Sequence, residues 1–154
     1  MAEADPGAEL ALVNEWIVDT GPLVAFLDRR DPFHGLASQR LGPFRGRLHT
    51  TSPVVTECMH LLSETPEGPA VLAELVVRSG IEIHDYTQPT FLRAAAALMK
   101  KYASVPMDFA DATLVLLSES LDIANVATLD RRGFSVFRAH GRKPLRLVLD
   151  EPSQ

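Results

Sequence analysis

The chain carries five acids, each close to a predicted strand end or helix start, whose chemistry suits a metal ion: Asp19, Glu57, Asp108, Asp111 and Asp130. Carboxylates held close together raise one another's pKa values, and a bound cation relieves that repulsion. Mg²⁺ and Mn²⁺ prefer carboxylate oxygens and retain waters. A metal held in this way can activate a water and stabilise charge on a phosphodiester. The acids therefore predict metal-assisted hydrolysis if the fold brings them together.

Asp19 follows the apolar residues 16–18, which predict a short buried strand. Thr20 or Gly21 can cap the helix that follows, and Pro22 suits its first turn, where a missing N–H costs nothing. Asp19 is therefore expected at the C-terminal end of a strand, where open α/β sheets build their sites.

The next three acids belong to predicted helix starts. Glu57 lies in the first two turns of a helix expected to have Ser52 as its N-cap and Pro53 at its first position. The helix dipole favours an anion there. Asp108 and Asp111 are three residues apart at the start of another helix, so they lie on one face.

Asp130 follows a buried strand predicted at 123–128, and Thr128 faces the same side as Asp130 if that strand persists. Strands are also predicted at 47–50, 81–84, 133–138 and, as an edge, 145–149. Strands that alternate with helices predict an α/β domain around a mostly parallel sheet. In such a sheet the five acids would meet at one edge.

Each acid also has an ordinary structural explanation. Asp19 can cap the helix after it, Glu57 can be a surface residue, and Asp130 can be a turn acid. Asp108 and Asp111 have the spacing of an N-cap and third-position pair. Their joint occurrence at convergent positions favours function over a series of coincidences.

The composition is that of one globular domain, because 154 residues with 46% hydrophobic content suffice for one core. The single cysteine, Cys58, fits a reducing compartment. Cys58 and His60 lie two residues apart in one predicted helix, so they do not match the spacing of zinc ligands. No apolar run approaches the roughly 20 residues of a membrane span, and no signal peptide pattern is present. We therefore expect a soluble cytoplasmic protein without a membrane partner.

The net charge of −5 conceals an uneven distribution. Residues 1–15 contain four acids and no Lys or Arg, which predicts a flexible acidic extension, and residues 150–154 form a short tail. A short C-terminal stretch concentrates Arg131, Arg132, Arg138, Arg142, Lys143 and Arg146. Local basicity sets the attraction to phosphate, so this stretch is either a nucleic-acid contact or a solvated edge.

Four segments together resemble the signature segments of PIN domains, which are Mg²⁺- or Mn²⁺-dependent ribonucleases best known as VapC-like toxins of bacterial toxin–antitoxin pairs. They are residues 18–23, 55–57, 108–113 and 128–134. No single segment is specific, but the ordered set is, and the resemblance covers about residues 16–149. It implies a three-layer α/β/α fold with a central, mostly parallel sheet.

The resemblance assigns roles to the acids. Asp19, Glu57, Asp111 and Asp130 match the acidic quartet of the family, and Asp108 matches an additional acid of the third segment. It implies that Asp19, Asp111 and Asp130 bind metal directly. Glu57 and Asp108 would act through water or help to deprotonate the nucleophile.

Other positions match less critical parts of the pattern. Thr128 matches a hydroxyl that orients the site, and Thr20 and Ser52 are weaker candidates. Basic residues near Asp130 would hold the RNA backbone without reading its sequence: Arg131, Arg132, Arg138, Arg142 and Lys143.

The resemblance also implies an RNA substrate, a cognate antitoxin and a homodimer. An antitoxin arginine would satisfy paired acids well and displace the metal. Apolar residues after the first strand, among them Leu23, Phe33, Leu61 and Leu62, belong either to the core or to a partner surface. The acidic extension departs from the usual pattern of the family and bears on partner binding.

Two other functions fit parts of the sequence. Residues 18–21 also match the active-site signature of aspartic proteases, but those enzymes are almost all β, whereas this chain has several strong helix patterns. A PIN-like module that binds RNA or protein without metal is the second alternative, against which the presence of all the acids argues.

Overall fold

The computed structural model describes residues 14–151. Its main strands are β1 (Glu15–Val18), β2 (Arg47–Thr51), β3 (Glu82–His84), β4 (Asn125–Ala127) and β7 (Arg146–Leu147), while β5 (Arg138–Ala139) and β6 (Lys143–Pro144) form a separate antiparallel pair. The main sheet has the order β3–β2–β1–β4–β7. Every neighbouring pair in it is parallel, which confirms the predicted mostly parallel sheet.

Helices flank this sheet on both sides. They are α1 (Thr20–Leu27), α2 (His34–Leu41), α3 (Ser52–Leu62), α4 (Gly68–Ser79), α5 (Pro89–Lys101), α6 (Phe109–Leu121), α7 (Arg131–Phe134) and a 3₁₀ helix (Val148–Asp150). The first four contact one another in one layer, whereas α5 contacts α6 in the other. The three-layer α/β/α architecture is therefore confirmed.

The core covers both faces of the central strand. Ile17 and Val18 point to opposite faces of β1, and both are fully buried. In α6, seven consecutive residues, 112–118, are buried. Because this helix starts immediately after Asp108, its packing fixes the position of the acids at its N-terminus.

The strand predicted at 133–138 is wrong. Asp130 instead caps the short helix α7, with its Oδ1 accepting a hydrogen bond from the Gly133 N–H at 3.0 Å. Phe134 and Phe137, three positions apart, are both fully buried, which suits a helical turn rather than an alternating strand. The edge strand predicted at 145–149 is present only as β7, after which the chain turns into the 3₁₀ helix.

The predicted N-cap of α3 is displaced by one residue. The cap is Thr51, and Ser52 is the first helical residue, because β2 continues into α3 without a loop. The Ser52 hydroxyl donates to Asp85 Oδ1 at 3.3 Å and makes no capping bond. Ser52 is therefore held by the segment after β3.

The predicted apolar candidates divide between the core and the surface. Leu23 and Leu62 are buried, whereas Phe33 is 51% and Leu61 56% exposed. Of the predicted acidic extension, Asn14 and Glu15 are described, and Glu15 already belongs to β1. Residues 1–13 lie outside the described residues. No helix within residues 14–151 has the length and apolarity that crossing a bilayer requires.

Candidate active site

Asp19 occupies the first turn between β1 and α1, and both its oxygens have partners. Oδ1 accepts from the Thr20 N–H at 2.7 Å, and Oδ2 accepts from Thr128 Oγ1 at 2.8 Å. The Asp19 N–H donates to the Ala127 carbonyl at 2.9 Å, which extends the pairing of β1 with β4 beyond the strand ends. Asp19 is thus both the helix cap that the sequence allowed and an oriented carboxylate at the sheet edge.

Burial dominates the electrostatics of Asp19, which is only 8% exposed. It raises the pKa of Asp19 to about 6, against the lowering effect of the hydrogen bonds from Thr128 and Thr20. The negative charges of Asp108 and Glu57 raise the pKa further. Asp19 therefore interacts electrostatically with two of the other predicted acids.

Glu57 is joined to the start of α1 through a hydroxyl. Thr20 Oγ1 donates to Glu57 Oε2 at 2.8 Å. This bond links the second turn of α3 to the residue after Asp19. Thr20 therefore holds Glu57 near Asp19, whose carboxylate accepts the Thr20 N–H as the cap of α1.

Asp108 and Asp111 form a reciprocal capping box at the start of α6. The Asp111 N–H donates to Asp108 Oδ1 at 2.8 Å, and the Asp108 N–H donates to Asp111 Oδ2 at 3.1 Å. Burial and then the charge of Asp108 raise the pKa of Asp111 to about 8, with a smaller contribution from Asp19. The capping pair and the acid pair that the sequence presented as alternatives are the same structure.

Asp130 belongs to the same edge but is turned toward its own helix. Its N–H donates to Thr128 Oγ1 at 3.0 Å, and its Oδ1 accepts from the Gly133 N–H. Thr128 thus bridges Asp19 and the backbone of Asp130, and it is almost fully buried at the end of β4. The side chain of Asp130 is exposed and caps α7.

The structure therefore gathers four of the predicted acids, Asp19, Glu57, Asp108 and Asp111, at one edge, with Asp130 beside them. The cluster is open: within residues 14–151, no three of the five carboxylates bring oxygens within 4.8 Å of one another. In the same residues, none of the five forms an ion pair with Lys, Arg or His.

This donor set fits a hard divalent cation. All of its candidate ligands are oxygens, and within residues 14–151 none of the five carboxylates is paired with a cationic side chain. The spacing suits an ion that keeps part of its water shell, as Mg²⁺ does, rather than one enclosed by protein atoms.

An apolar groove of about 540 Å³ borders the acids and is lined by Ser52, Pro53, Thr56, Glu57, Thr87, Asp108, Phe109 and Ala110. It places two of the acids beside an apolar wall formed by α3 and α6. A ligand in this groove would reach the carboxylates.

Two of the predicted RNA-binding arginines are engaged within the chain. Arg131 Nε pairs with Asp150 Oδ1 at 2.8 Å. One guanidinium nitrogen of Arg138 donates to the backbone carbonyls of residues 135–137 at 2.8–3.0 Å. Arg138 therefore stabilises the loop after α7.

The other three basic candidates are exposed. Lys143 Nζ lies 3.5 Å from Asp122 Oδ1. Arg132 and Arg142 form no ion pair within the part of the chain that the structure describes. Arg132 lies two residues from Asp130, beside the acids, and is the better placed of the two.

A buried pair of hydroxyls, which the sequence pattern did not reveal, supports the site. Thr51 Oγ1 and Thr113 Oγ1 are 2.8 Å apart, and Thr113 also donates to the Ala110 carbonyl at 2.7 Å. The pair joins the end of β2 to the first turns of α6, two residues beyond Asp111. The sequence did contain a signal for this pair. Thr113 lies among apolar residues of a predicted helix, and a buried hydroxyl requires a hydrogen-bond partner.

Cys58 is not a nucleophile of this site. It is fully buried, its Sγ donates weakly to the Thr20 carbonyl at 3.9 Å, and burial raises the pKa of its thiol to about 12. The thiol form therefore persists at neutral pH.

The chain is similar to known proteins in sequence and in fold. The model of the PIN domain family matches residues 16–139. Ribonuclease VapC26 of Mycobacterium tuberculosis (strain ATCC 25618 / H37Rv) is 30% identical over 127 residues, which cover 81% of this chain and 93% of that protein. The crystal structure of Mycobacterium tuberculosis VapC20, a sarcin-ricin loop cleaving toxin, superposes with a TM-score of 0.68 at 19% identity, covering 75% of this chain and 90% of that one.

Proposed function

The chain belongs to the PIN domain family, and we propose that it is an endoribonuclease that hydrolyses RNA phosphodiester bonds with Mg²⁺ or Mn²⁺, as the toxin of a toxin–antitoxin pair. One observation carries this proposal: a buried, doubly hydrogen-bonded Asp19 shares an uncompensated negative field with Asp108, Glu57 and Asp111. The 30% identity to Ribonuclease VapC26 supports the reaction class.

In this proposal Asp19, Asp111 and Asp130 hold the metal. When bound, the metal activates a water and stabilises the negative charge that develops on the phosphate. Thr128 fixes Asp19 Oδ2 and the backbone of Asp130, so one hydroxyl aligns two candidate ligands. The hydrogen bonds to Asp19 from Thr128 and Thr20 favour its charged form, which is the form that binds a cation.

Glu57 and Asp108 have a different role. Thr20 occupies one oxygen of Glu57, and the Asp111 N–H occupies one oxygen of Asp108. The second oxygen of each carboxylate is left for a water or its proton. We assign these two residues to orienting the attacking water and accepting its proton.

RNA contacts follow from the exposed cations: Arg132 lies two residues from Asp130, whereas Arg142 lies in the β5–β6 hairpin, whose Lys143 approaches Asp122 at the C-terminal end of α6. Arg132 and Arg142 would hold phosphates without reading the base sequence. Arg131 and Lys143 would first have to leave Asp150 and Asp122, and Arg138 would have to leave the carbonyls of residues 135–137.

The parallel α/β sheet excludes the aspartic protease interpretation of residues 18–21, because those enzymes have an almost all-β fold. A PIN-like module without catalysis is the remaining alternative. RNA cleavage by the purified chain distinguishes a nuclease from such a module.

The decisive experiment compares RNA cleavage by the wild type, Asp19→Asn and Asp111→Asn in Mn²⁺. Loss of a carboxylate that holds the metal should abolish cleavage, while circular dichroism shows an intact fold. Excess EDTA should abolish wild-type cleavage.

Glu74→Gln provides a matched control, because Glu74 is an exposed acid of α4 outside the cluster. It should cleave RNA like the wild type. Wild-type rates in Asp19→Asn or Asp111→Asn would refute the metal assignment. A folded wild type that cleaves no RNA in Mn²⁺ would favour the non-catalytic module.

A further inference from the structure

A second cluster of metal-ligating side chains lies on the strands at the other end of the sheet order. His49 of β2 pairs in register with Glu82 of β3, and Thr51 pairs with His84. Because side chains alternate along a strand, Glu82 and His84 face the same side of β3. His49 meets them from the neighbouring strand, so three potential ligands converge on one point of the sheet.

The distances among the three donor atoms match a tetrahedral site. His49 Nδ1 lies 3.1 Å from His84 Nε2 and 3.3 Å from Glu82 Oε2, and His84 Nε2 lies 3.9 Å from Glu82 Oε2. Two ligands bonded at 2.0–2.1 Å to a tetrahedral Zn²⁺ are about 3.3 Å apart. The observed triangle is therefore close to the size that one zinc ion requires.

A fourth residue fixes the tautomer that metal binding requires. Glu15 Oε1 lies 3.1 Å from His49 Nε2. A proton on Nε2, donated to Glu15, leaves the lone pair of His49 on Nδ1, facing His84 and Glu82. Metal-bound histidines characteristically donate their second nitrogen to a carboxylate in this way.

One of the three side chains is buried and the other two are partly exposed to solvent. The side chain of His49 is 4% exposed, whereas those of His84 and Glu82 are 28% and 55% exposed. An ion can therefore reach His84 and Glu82 from solvent, while His49 is enclosed by the protein.

We propose that His49, Glu82 and His84 form a zinc site in which Glu15 orients His49 and the fourth position holds water. The site is distinct from the carboxylate cluster, which offers only oxygens, because imidazole ligands suit Zn²⁺. The ion would link β2 to β3. It would stabilise an edge strand of only three residues that buries little of its own surface.

The rival explanation is a hydrogen-bonded cluster without any metal. It requires a proton between His49 Nδ1 and its neighbours, carried either by Nδ1, which then donates to Glu82, or by His84 Nε2, which then donates to His49. In that arrangement Zn²⁺ would compete with the proton and bind only weakly. Zinc affinity at neutral pH therefore distinguishes the two.

The test titrates Zn²⁺ into the untagged, EDTA-treated chain at pH 7.5 by calorimetry. Asp19→Asn/Asp111→Asn serves as the background, which removes candidate metal ligands from the carboxylate cluster. We expect one equivalent of Zn²⁺ with a Kd in the micromolar range or below. Co²⁺ in the same background should show the intense visible absorption of a tetrahedral ion.

His84→Gln and Glu82→Gln are the informative variants, because both side chains are partly exposed and their loss leaves the buried His49 in place. Each should weaken Zn²⁺ binding at least tenfold and remove the Co²⁺ band. His140→Gln, which changes an exposed histidine outside the cluster, should bind like the background.

Either of two results would overturn the zinc site. One is no binding at up to 100 µM Zn²⁺ by a chain that circular dichroism shows to be folded. The other is equal affinity in the background and in His84→Gln. Neither result bears on RNA cleavage, so this proposal and the nuclease proposal fail independently.

Discussion

At the scale of single residues, helix capping and site chemistry coincide. Asp19 caps α1 and Asp108 caps α6, yet both belong to the field of the carboxylate cluster. An N-cap carboxylate is held by backbone N–H groups, and the helix dipole favours its charge. Capping therefore supplies the rigid orientation that a metal ligand requires.

Without divalent ions, the free energy of unfolding should fall as the pH rises from about 4 to 8. The pKa of Asp19 is raised from 3.8 to about 6, and that of Asp111 to about 8, so the folded protein binds more protons than the unfolded chain in this range. The shift of Asp19 alone corresponds to about 3 kcal/mol. Urea unfolding in EDTA between pH 5 and 8 measures the slope.

Asp19→Asn/Asp111→Asn should lose most of this slope, because amides do not titrate, and should be more stable than the wild type at pH 8. Glu74→Gln should keep the slope. A wild-type stability that is constant or rises over this range would contradict the raised pKa values.

At the scale of elements, hydroxyls join the ends of strands to the starts of helices. Thr128 at the end of β4 holds Asp19, Thr20 of α1 holds Glu57, and Thr51 of β2 contacts Thr113 of α6. Each bond crosses between segments distant in sequence. The edge of the sheet is thereby rigid where the acids converge.

Gly133→Ala should displace Asp130 and lower RNA cleavage. An added Cβ would lie 2.5 Å from Asp130 Oδ2 and 3.0 Å from the Phe137 ring, so α7 or the carboxylate must shift. Overpacking of this kind costs about 1–3 kcal/mol. RNase rates and urea unfolding on the same preparations separate lost activity from lost stability.

Gly35→Ala is the matched control, because nothing lies within 4 Å of its added Cβ in α2. It should cleave RNA normally and be as stable as the wild type or slightly more stable. Unchanged cleavage by a folded Gly133→Ala would count against a role for Asp130.

At the scale of the whole molecule, two clusters of potential metal ligands lie on different parts of the sheet. The carboxylate cluster lies where β1 and β4 end and α6 begins, whereas the histidine cluster joins β2 to the edge strand β3. Exposed apolar side chains, including Phe33 and Leu61, remain outside the core.

The isolated chain should be a dimer, and a cognate antitoxin peptide should inhibit cleavage in competition with Mn²⁺. Exposed Phe33 and Leu61 offer apolar surface for self-association, and an antitoxin arginine in the groove beside Glu57 and Asp108 would pair with the acids. Light scattering after size-exclusion chromatography measures the mass. A strict monomer at high micromolar concentration would refute the dimer.

Inhibition kinetics address the antitoxin independently. Raising Mn²⁺ should restore cleavage in the presence of the peptide. A peptide that inhibits equally at all Mn²⁺ concentrations would act elsewhere, without affecting the nuclease assignment.

The sequence by itself determined the parallel α/β sheet and the order of the acids along it. A short apolar run such as residues 16–18, followed by capping residues, has few alternatives to a buried strand. The strand ends of a parallel sheet share an edge, so the acids that follow them converge there. The tertiary structure alone decided that Asp130 turns toward Gly133 and that 133–138 is not a strand. The local pattern of residues 133–138 favoured a strand, because the burial of both Phe134 and Phe137 that makes this segment turn depends on the packing of the whole domain.

The histidine cluster is a second feature that the local sequence could not predict. Sequence spacing indicates zinc ligands only within one element, as for Cys58 and His60 in a single helix. His49 and His84 are 35 residues apart and meet through the register of β2 with β3. Pairing register between separate strands is fixed by packing of the whole sheet, which is why only the tertiary structure could bring these side chains together.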